Sequence, residues 1–199
     1  MPRRPRVYVP DMSVHVIQRG INGSSMFGDD EDCQTFLTIL ESSVVNHGVS
    51  VHTYALMKTH HHLLVTPTSE SALPQAMRQL GIRYVQYFNR KYSRTGPLFN
   101  ERYRGLLLDN EHYWITCCRY IEQNPVRARI ADAPDAYPWS SYATNGLGVP
   151  SRWLVPHPVY LRLGTTPDEQ RAAYRELCAM PLTDDLLAEQ RWRRSSLEG

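Results

Sequence analysis

SVHTYALMKTHHHLLVT, residues 50–66, holds two β-type runs, Ser50 to Met57 and His60 to Thr66, with almost nothing between them. That spacing predicts paired neighbouring strands or one bent ribbon. Upstream, SVHVIQR at 13–19 alternates Val14, Val16 and Gln18 against His15, Ile17 and Arg19, the period of a strand. Between them, Asp29 to Asn46 opens with acids suited to a helix N-terminus, carries Phe36, Leu37, Leu40 and Val44 at helical spacing, and meets a stop at Gly48. Downstream, Leu73 to Tyr92 places Ala76, Met77, Leu80, Tyr84, Tyr87 and Phe88 on one side of a long helix. Glu101 to Leu108 reads as a further strand, and a helix from about Asn110 must end or kink at Pro125. The order β-α-β-β-α-β-α predicts an α+β fold, a ferredoxin-like antiparallel sheet with helices packed on it.

A catalytic domain is expected over residues 1–130. Residues 131–199 form a short irregular and helical C-terminal extension, packed on the domain or trailing it, with helix candidates at Asp168 to Cys178 and near Asp184 to Arg194. With 199 residues, 42% hydrophobic and 21% charged, the chain is globular, and no apolar run approaches the roughly 18 residues that span a bilayer. The basic start MPRRPRVYVP lacks an apolar signal region, so a cytoplasmic protein is expected, with no membrane partner. Cys33, Cys117, Cys118 and Cys178 show no C-x-x-C spacing and are expected reduced and mostly buried. The net charge of +2 is uneven: residues 1–72, 73–130 and 131–199 sum to −2, +6 and −2. A basic centre of that kind attracts polyanions, although a solvated basic face gives the same count.

Side chains alternate along a strand, so His60 and His62 project to one face and His61 to the other. Two imidazoles on one face make half of a metal site. A solvated strand edge can also carry a histidine run. Further on, Tyr120 and Asn124 are four apart on a helix and stack on one face. Asn124 offers an oxygen for a third metal position, though Asn before Pro is also a good N-cap, and Tyr120 could equally belong to the core edge. A phenol is a poor nucleophile at neutral pH and needs a polarised electrophile. A divalent cation on a phosphodiester provides one.

At these residues the chain resembles the REP-associated tyrosine transposases, relatives of the single-strand insertion-sequence transposases in the HUH endonuclease superfamily. The resemblance runs from about Arg3 to Tyr174 through HVIQRG at 15–20, YALMKTHHHLLVTP at 54–67, RYVQYFNRKYSRTGPLF at 83–99, RYIEQNPVRA at 119–128 and YPWSSY at 137–142. It implies the HUH fold, His60 and His62 as metal ligands with Asn124 in the third position, and Tyr120 as nucleophile. It further implies Mg2+ or Mn2+, attachment to a 5′ phosphate, and hairpin DNA of the REP palindrome type as substrate and partner, as in transposition. Departures are Thr59 where the family usually has Asn, His61 where it has a small apolar residue, and Phe99-Asn100-Glu101-Arg102 for its Trp-Glu-Gly-Arg. The chain also ends early, in SSLEG.

DNA contacts are expected from an N-terminal arm, Arg3 and Arg4, and from the basic centre with its interleaved tyrosines: Arg83, Arg90, Lys91 and Arg94, then Arg102 and Arg104. Arg19 and Arg127, within the quoted motifs, join them. A monomer is expected, with a dimer as the alternative. A hairpin-binding module without turnover and a metal nuclease using water are the competing functions.

Overall fold

A computed structural model describes residues 8–182; Arg3, Arg4, the helix candidate near 184–194 and the SSLEG end lie outside them. Strands β1 (Ser13–Arg19), β2 (Val49–Met57), β3 (His60–Pro67) and β4 (Arg104–Leu108) form one antiparallel sheet in the order β2-β3-β1-β4. The two runs of 50–66 are a hairpin turning on Lys58 and Thr59, the shortest connection an antiparallel pair allows. The central pair, β1 and β3, has Ile17 opposite His62 and Arg19 opposite His60.

Helices α1 (Asp30–His47) and α2 (Ala72–Lys91) cover one face. Their Phe36, Leu40, Leu80 and Tyr84 bury against Val14, Val16, Leu63 and Val65, the alternate positions of the two central strands. Asp29 caps α1 by accepting from the Asp32 amide, and Gly48 ends it in the left-handed conformation, φ 67°, that glycine adopts at little cost. Lys91, at the last turn of α2, reaches Asp29 at 2.7 Å, Glu31 at 2.9 Å and Asp32 at 3.0 Å in the first turn of α1. The fully buried Asp32 also accepts from the Gly28 amide and from the hydroxyls of Tyr87 and Tyr92. Lys91 is thus committed to three carboxylates and pins the helix pair, in place of the DNA contact expected of it.

The opposite face carries α3 (Glu111–Glu122), whose Trp114, Cys118 and Ile121 pack on Ala55, Leu64 and Leu106. Pro125 interrupts the ladder, and the chain restarts as α4 (Asn124–Arg127). Strand β4 begins at Arg104 rather than Glu101, because residues 99–103 instead close over the end of β1: Asn100 donates its amide to the Arg19 carbonyl, and Phe99 bridges Gly20.

The remaining helices α5 (Tyr142–Asn145), α6 (Pro158–Leu161) and α7 (Pro167–Ala179) follow in an extension that runs along the free edge of β2. Leu56 donates to the Trp139 carbonyl, Ser141 to that of Tyr54, and Val155 to that of Val51. Covering an edge strand this way satisfies backbone groups that would otherwise recruit another chain. All four cysteines are buried and none forms a disulfide among the described residues. Among the described residues no helix is long and apolar enough to cross a membrane.

Candidate active site

The hairpin turn fixes which histidines face α3. His60 and His62 share that face, with ring centroids 5.0 Å apart and nearly perpendicular. His61 points the other way into the core, its ring 4.9 Å from Phe36. Burial pushes its imidazole down to about 3, so it is neutral, and neither ring nitrogen has a hydrogen-bond partner. His61 therefore offers no competing register for a metal.

Tyr120, in the last turn of α3, brings its ring 5.6 Å from that of His62 and nearly perpendicular to it. Arg127, further along in α4, places its guanidinium 5.0 Å from the Tyr120 ring centre, a cation–π contact. The buried Asn124 donates its side-chain amide to the Tyr120 carbonyl at 2.9 Å. That bond fixes the amide plane, so its oxygen points away from the helix carbonyl. His62 and Tyr120, brought together by the packing of α3 on the sheet, thus converge although 58 positions separate them in the chain.

The sequence reading missed a third histidine. His15 of β1, fully buried, brings Nε2 to 2.9 Å from His62 Nδ1, and its ring is 6.0 Å from Tyr120. With Nδ1 engaged, Nε2 is the His62 nitrogen that can present a lone pair to a cation. No group of three His, Cys, Asp or Glu with metal-site geometry occurs among the described residues. The available set is two imidazoles and the neutral Asn124 oxygen. Such a set fits a divalent ion that leaves several positions to phosphate oxygens and water.

A cavity of about 250 Å³ opens beside the histidines, between β1 and the 99–104 segment. Arg19, Arg102 and Arg104 line it, with His15 joining it to the Tyr120 site. The rest of the expected DNA-binding set is scattered. Arg83 donates to Ser42 on the outer side of the helical layer, across the sheet from Tyr120. Arg90 is exposed on α2, and Arg94 packs its guanidinium over Phe88. The basic centre of the sequence is therefore divided between two faces.

Behind the site, Glu122 is completely buried and accepts from Ser141 at 2.8 Å and Tyr174 at 3.2 Å. Burial pushes its carboxyl up to about 7 despite these donors. Sequence reasoning missed this residue as well, because both donors come from the extension.

The profile of the IS200-like transposases matches residues 8–124, from the lead into β1 to Asn124. The chain belongs to that family, and it is an enzyme of the transposase type. Among solved structures it is similar to a REP-associated tyrosine transposase bound to a REP hairpin, with a TM-score of 0.53 and 14% identity over 78% of this chain and 89% of that one. At that identity the likeness is one of fold, and it agrees with the four-stranded antiparallel sheet and packed helices described above. A putative transposase from Deinococcus radiodurans is also similar, with a TM-score of 0.43 and 22% identity over 61% of this chain and 96% of that one. No curated protein matches.

Proposed function

We propose that the protein nicks and transfers single-stranded DNA carrying a hairpin of the REP palindrome type, through a covalent phosphotyrosine at Tyr120. The observation that carries this reading is the approach of the Tyr120 ring to within 5.6 Å of the His62 ring, with His60 alongside. A tyrosine is superfluous for hydrolysis, which water performs, whereas a phosphotyrosine conserves the phosphodiester for rejoining to another strand. In the proposed step the Tyr120 oxygen forms a bond to phosphorus while the bond from phosphorus to the 3′ oxygen breaks. The phenol proton leaves to solvent and the departing 3′ oxygen takes one up, so the nick ends in a 3′ hydroxyl and a 5′ phosphotyrosine.

His60, His62 and Asn124 would hold Mg2+ or Mn2+, which when bound polarises the phosphoryl oxygens and steadies the charge that develops on them. Imidazole donors favour Mn2+ over Mg2+, whose preference is for oxygen. Arg127, over the Tyr120 ring, stands where an arriving phosphate meets a positive charge. Membership of the transposase family supports DNA as the partner, and the hairpin-bound state of the similar solved structure supports the hairpin.

Incubation with a REP-type hairpin carrying single-stranded flanks and Mn2+ is expected to give a protein–DNA adduct that survives denaturant. Tyr120→Phe should lose the adduct completely yet keep hairpin binding. Continued nicking by Tyr120→Phe would mean that water is the nucleophile, and binding without any nick by the wild type would reduce the protein to a hairpin-binding module.

A further inference from the structure

The 250 Å³ cavity beside the histidines has its own chemistry. Ile17 and Leu106 line it with apolar surface, Gln18 and Asn100 with amides, and three exposed guanidiniums form its lip. Of those, Arg104 is tied to Glu101 at 2.7 Å. Arg19 and Arg102 differ: both are exposed, and neither side chain has a hydrogen bond or ion pair with any described residue. Three cations and one carboxylate around a small concavity leave a net charge of +2, and a concave wall of one sign focuses that field on whatever enters. Apolar surface together with amides suits a flat, polar-edged ring, whereas the arginine lip suits a phosphate.

The sheet register sets how far this lip stands from the proposed chemistry. Arg19 is the cross-strand partner of His60, and Arg104 lies across β1 from His62, both pairing with Ile17. One or two strand spacings, about 5–10 Å, therefore separate the cations from the histidine row. A stacked strand advances about 3.4 Å per nucleotide. A strand with one phosphate at the histidines thus presents its next one to three phosphates to the cavity.

We propose that this cavity is a subsite for one unpaired nucleotide next to the reacting phosphate, with Arg19 and Arg102 clamping the nucleotide's own phosphate. Placing the reacting phosphate at the histidines rests on the function proposed above; the clamp itself rests on the cavity and its unpaired cations. The subsite would make the enzyme hold single-stranded flank rather than duplex at the nick, because only an unpaired base is free to enter the cavity.

The test uses the full chain carrying Tyr120→Phe, so that binding is read without turnover, and hairpin DNA in which each flank phosphate in turn is replaced by a neutral methylphosphonate. One flank position is expected to weaken binding in this parent yet cost nothing more once Arg19→Ala and Arg102→Ala are added. Each alanine should also lower the slope of log affinity against log salt by about one, while Arg102→Lys retains most of that slope. In the nicking-competent protein, the coupled position should fall within three nucleotides of the adduct. Methylphosphonate losses that simply add to the arginine losses at every position, or a coupled phosphate in the hairpin stem, would overturn the clamp. Absence of any adduct with the coupling intact sinks the transesterase and leaves the clamp standing, so the two ideas fail separately.

Discussion

At the scale of single residues, the contact between His15 and His62 carries more information than its length suggests. Between two facing imidazole nitrogens 2.9 Å apart, one carries the hydrogen and the other accepts it. A cation on His62 Nε2 requires the lone pair there, hence the hydrogen on Nδ1 and acceptance by His15. His15 is then a positioning residue, fixing the tautomer and the ring plane of a ligand without touching the ion. Removing such a partner typically costs about 10–100-fold in metal affinity. His15→Ala in the Tyr120→Phe background should show that loss by calorimetric Mn2+ titration, with an unchanged near-ultraviolet circular dichroism spectrum as the check on folding. Unaltered Mn2+ affinity would show that His62 holds its orientation by packing alone. Nothing local marks His15: its partner is 47 residues away, and only the pairing of β1 with β3 brings the two together.

Elements show where sequence was legible and where it stopped being so. The 50–66 hairpin, the acidic start of α1 and the stop at Gly48 were readable because strand period, the pull of a helix N-terminus on carboxylates and left-handed φ act within a few residues. The face shared by His60 and His62 followed from strand alternation for the same reason. By contrast, β4 begins three residues later than its pattern implied, because the 99–103 segment is spent closing over β1. Lys91 looked like any member of a basic block, yet its partners lie about sixty residues back along the chain. Glu122 is the sharpest case, as the terminal residue of α3 that receives its donors from the extension. Its carboxyl is raised to about 7 from an ordinary 4.5, chiefly by burial, so the folded state holds a proton that the unfolded chain has released. That contribution is therefore complete below about 4.5 and is lost as pH rises through 7. Glu122→Gln keeps an acceptor for Ser141 and Tyr174 without any charge. The variant should gain on wild type by about 3 kcal/mol in urea unfolding at pH 8, and little at pH 4.5, since each tenfold difference in proton affinity between the folded and unfolded chain is worth about 1.36 kcal/mol. An equal difference at both pH values would mean that the carboxylate stays ionised in the fold.

Over the whole molecule, the extension carries one acid-sensitive joint of the structure. It is joined to the sheet by backbone bonds along β2 and also by a polar cluster beneath α3. His52 hydrogen-bonds the Val155 carbonyl through Nδ1 and Thr66 through Nε2, and His157 stacks on Trp114 with its ring 4.9 Å from His52. Desolvation lowers both imidazoles; His157 falls to about 4, with His52 and then Arg162 adding to the depression and Glu111 opposing it. The Val155 carbonyl partly offsets the effect on His52. At His157 the unfolded chain takes up a proton below about 6.5 and the folded one only near 4, so stability present above 6.5 is lost as pH falls through that window. His157→Phe keeps the stack on Trp114 and removes one titrating ring together with its contact to Ser13. Urea midpoints of the wild type should therefore fall more steeply between pH 6.5 and 4 than those of His157→Phe. Glu122, which runs in the opposite sense between 4.5 and 7, is common to both proteins and drops out of their difference. Parallel midpoint curves would refute the assignment and place the acid sensitivity elsewhere in the chain.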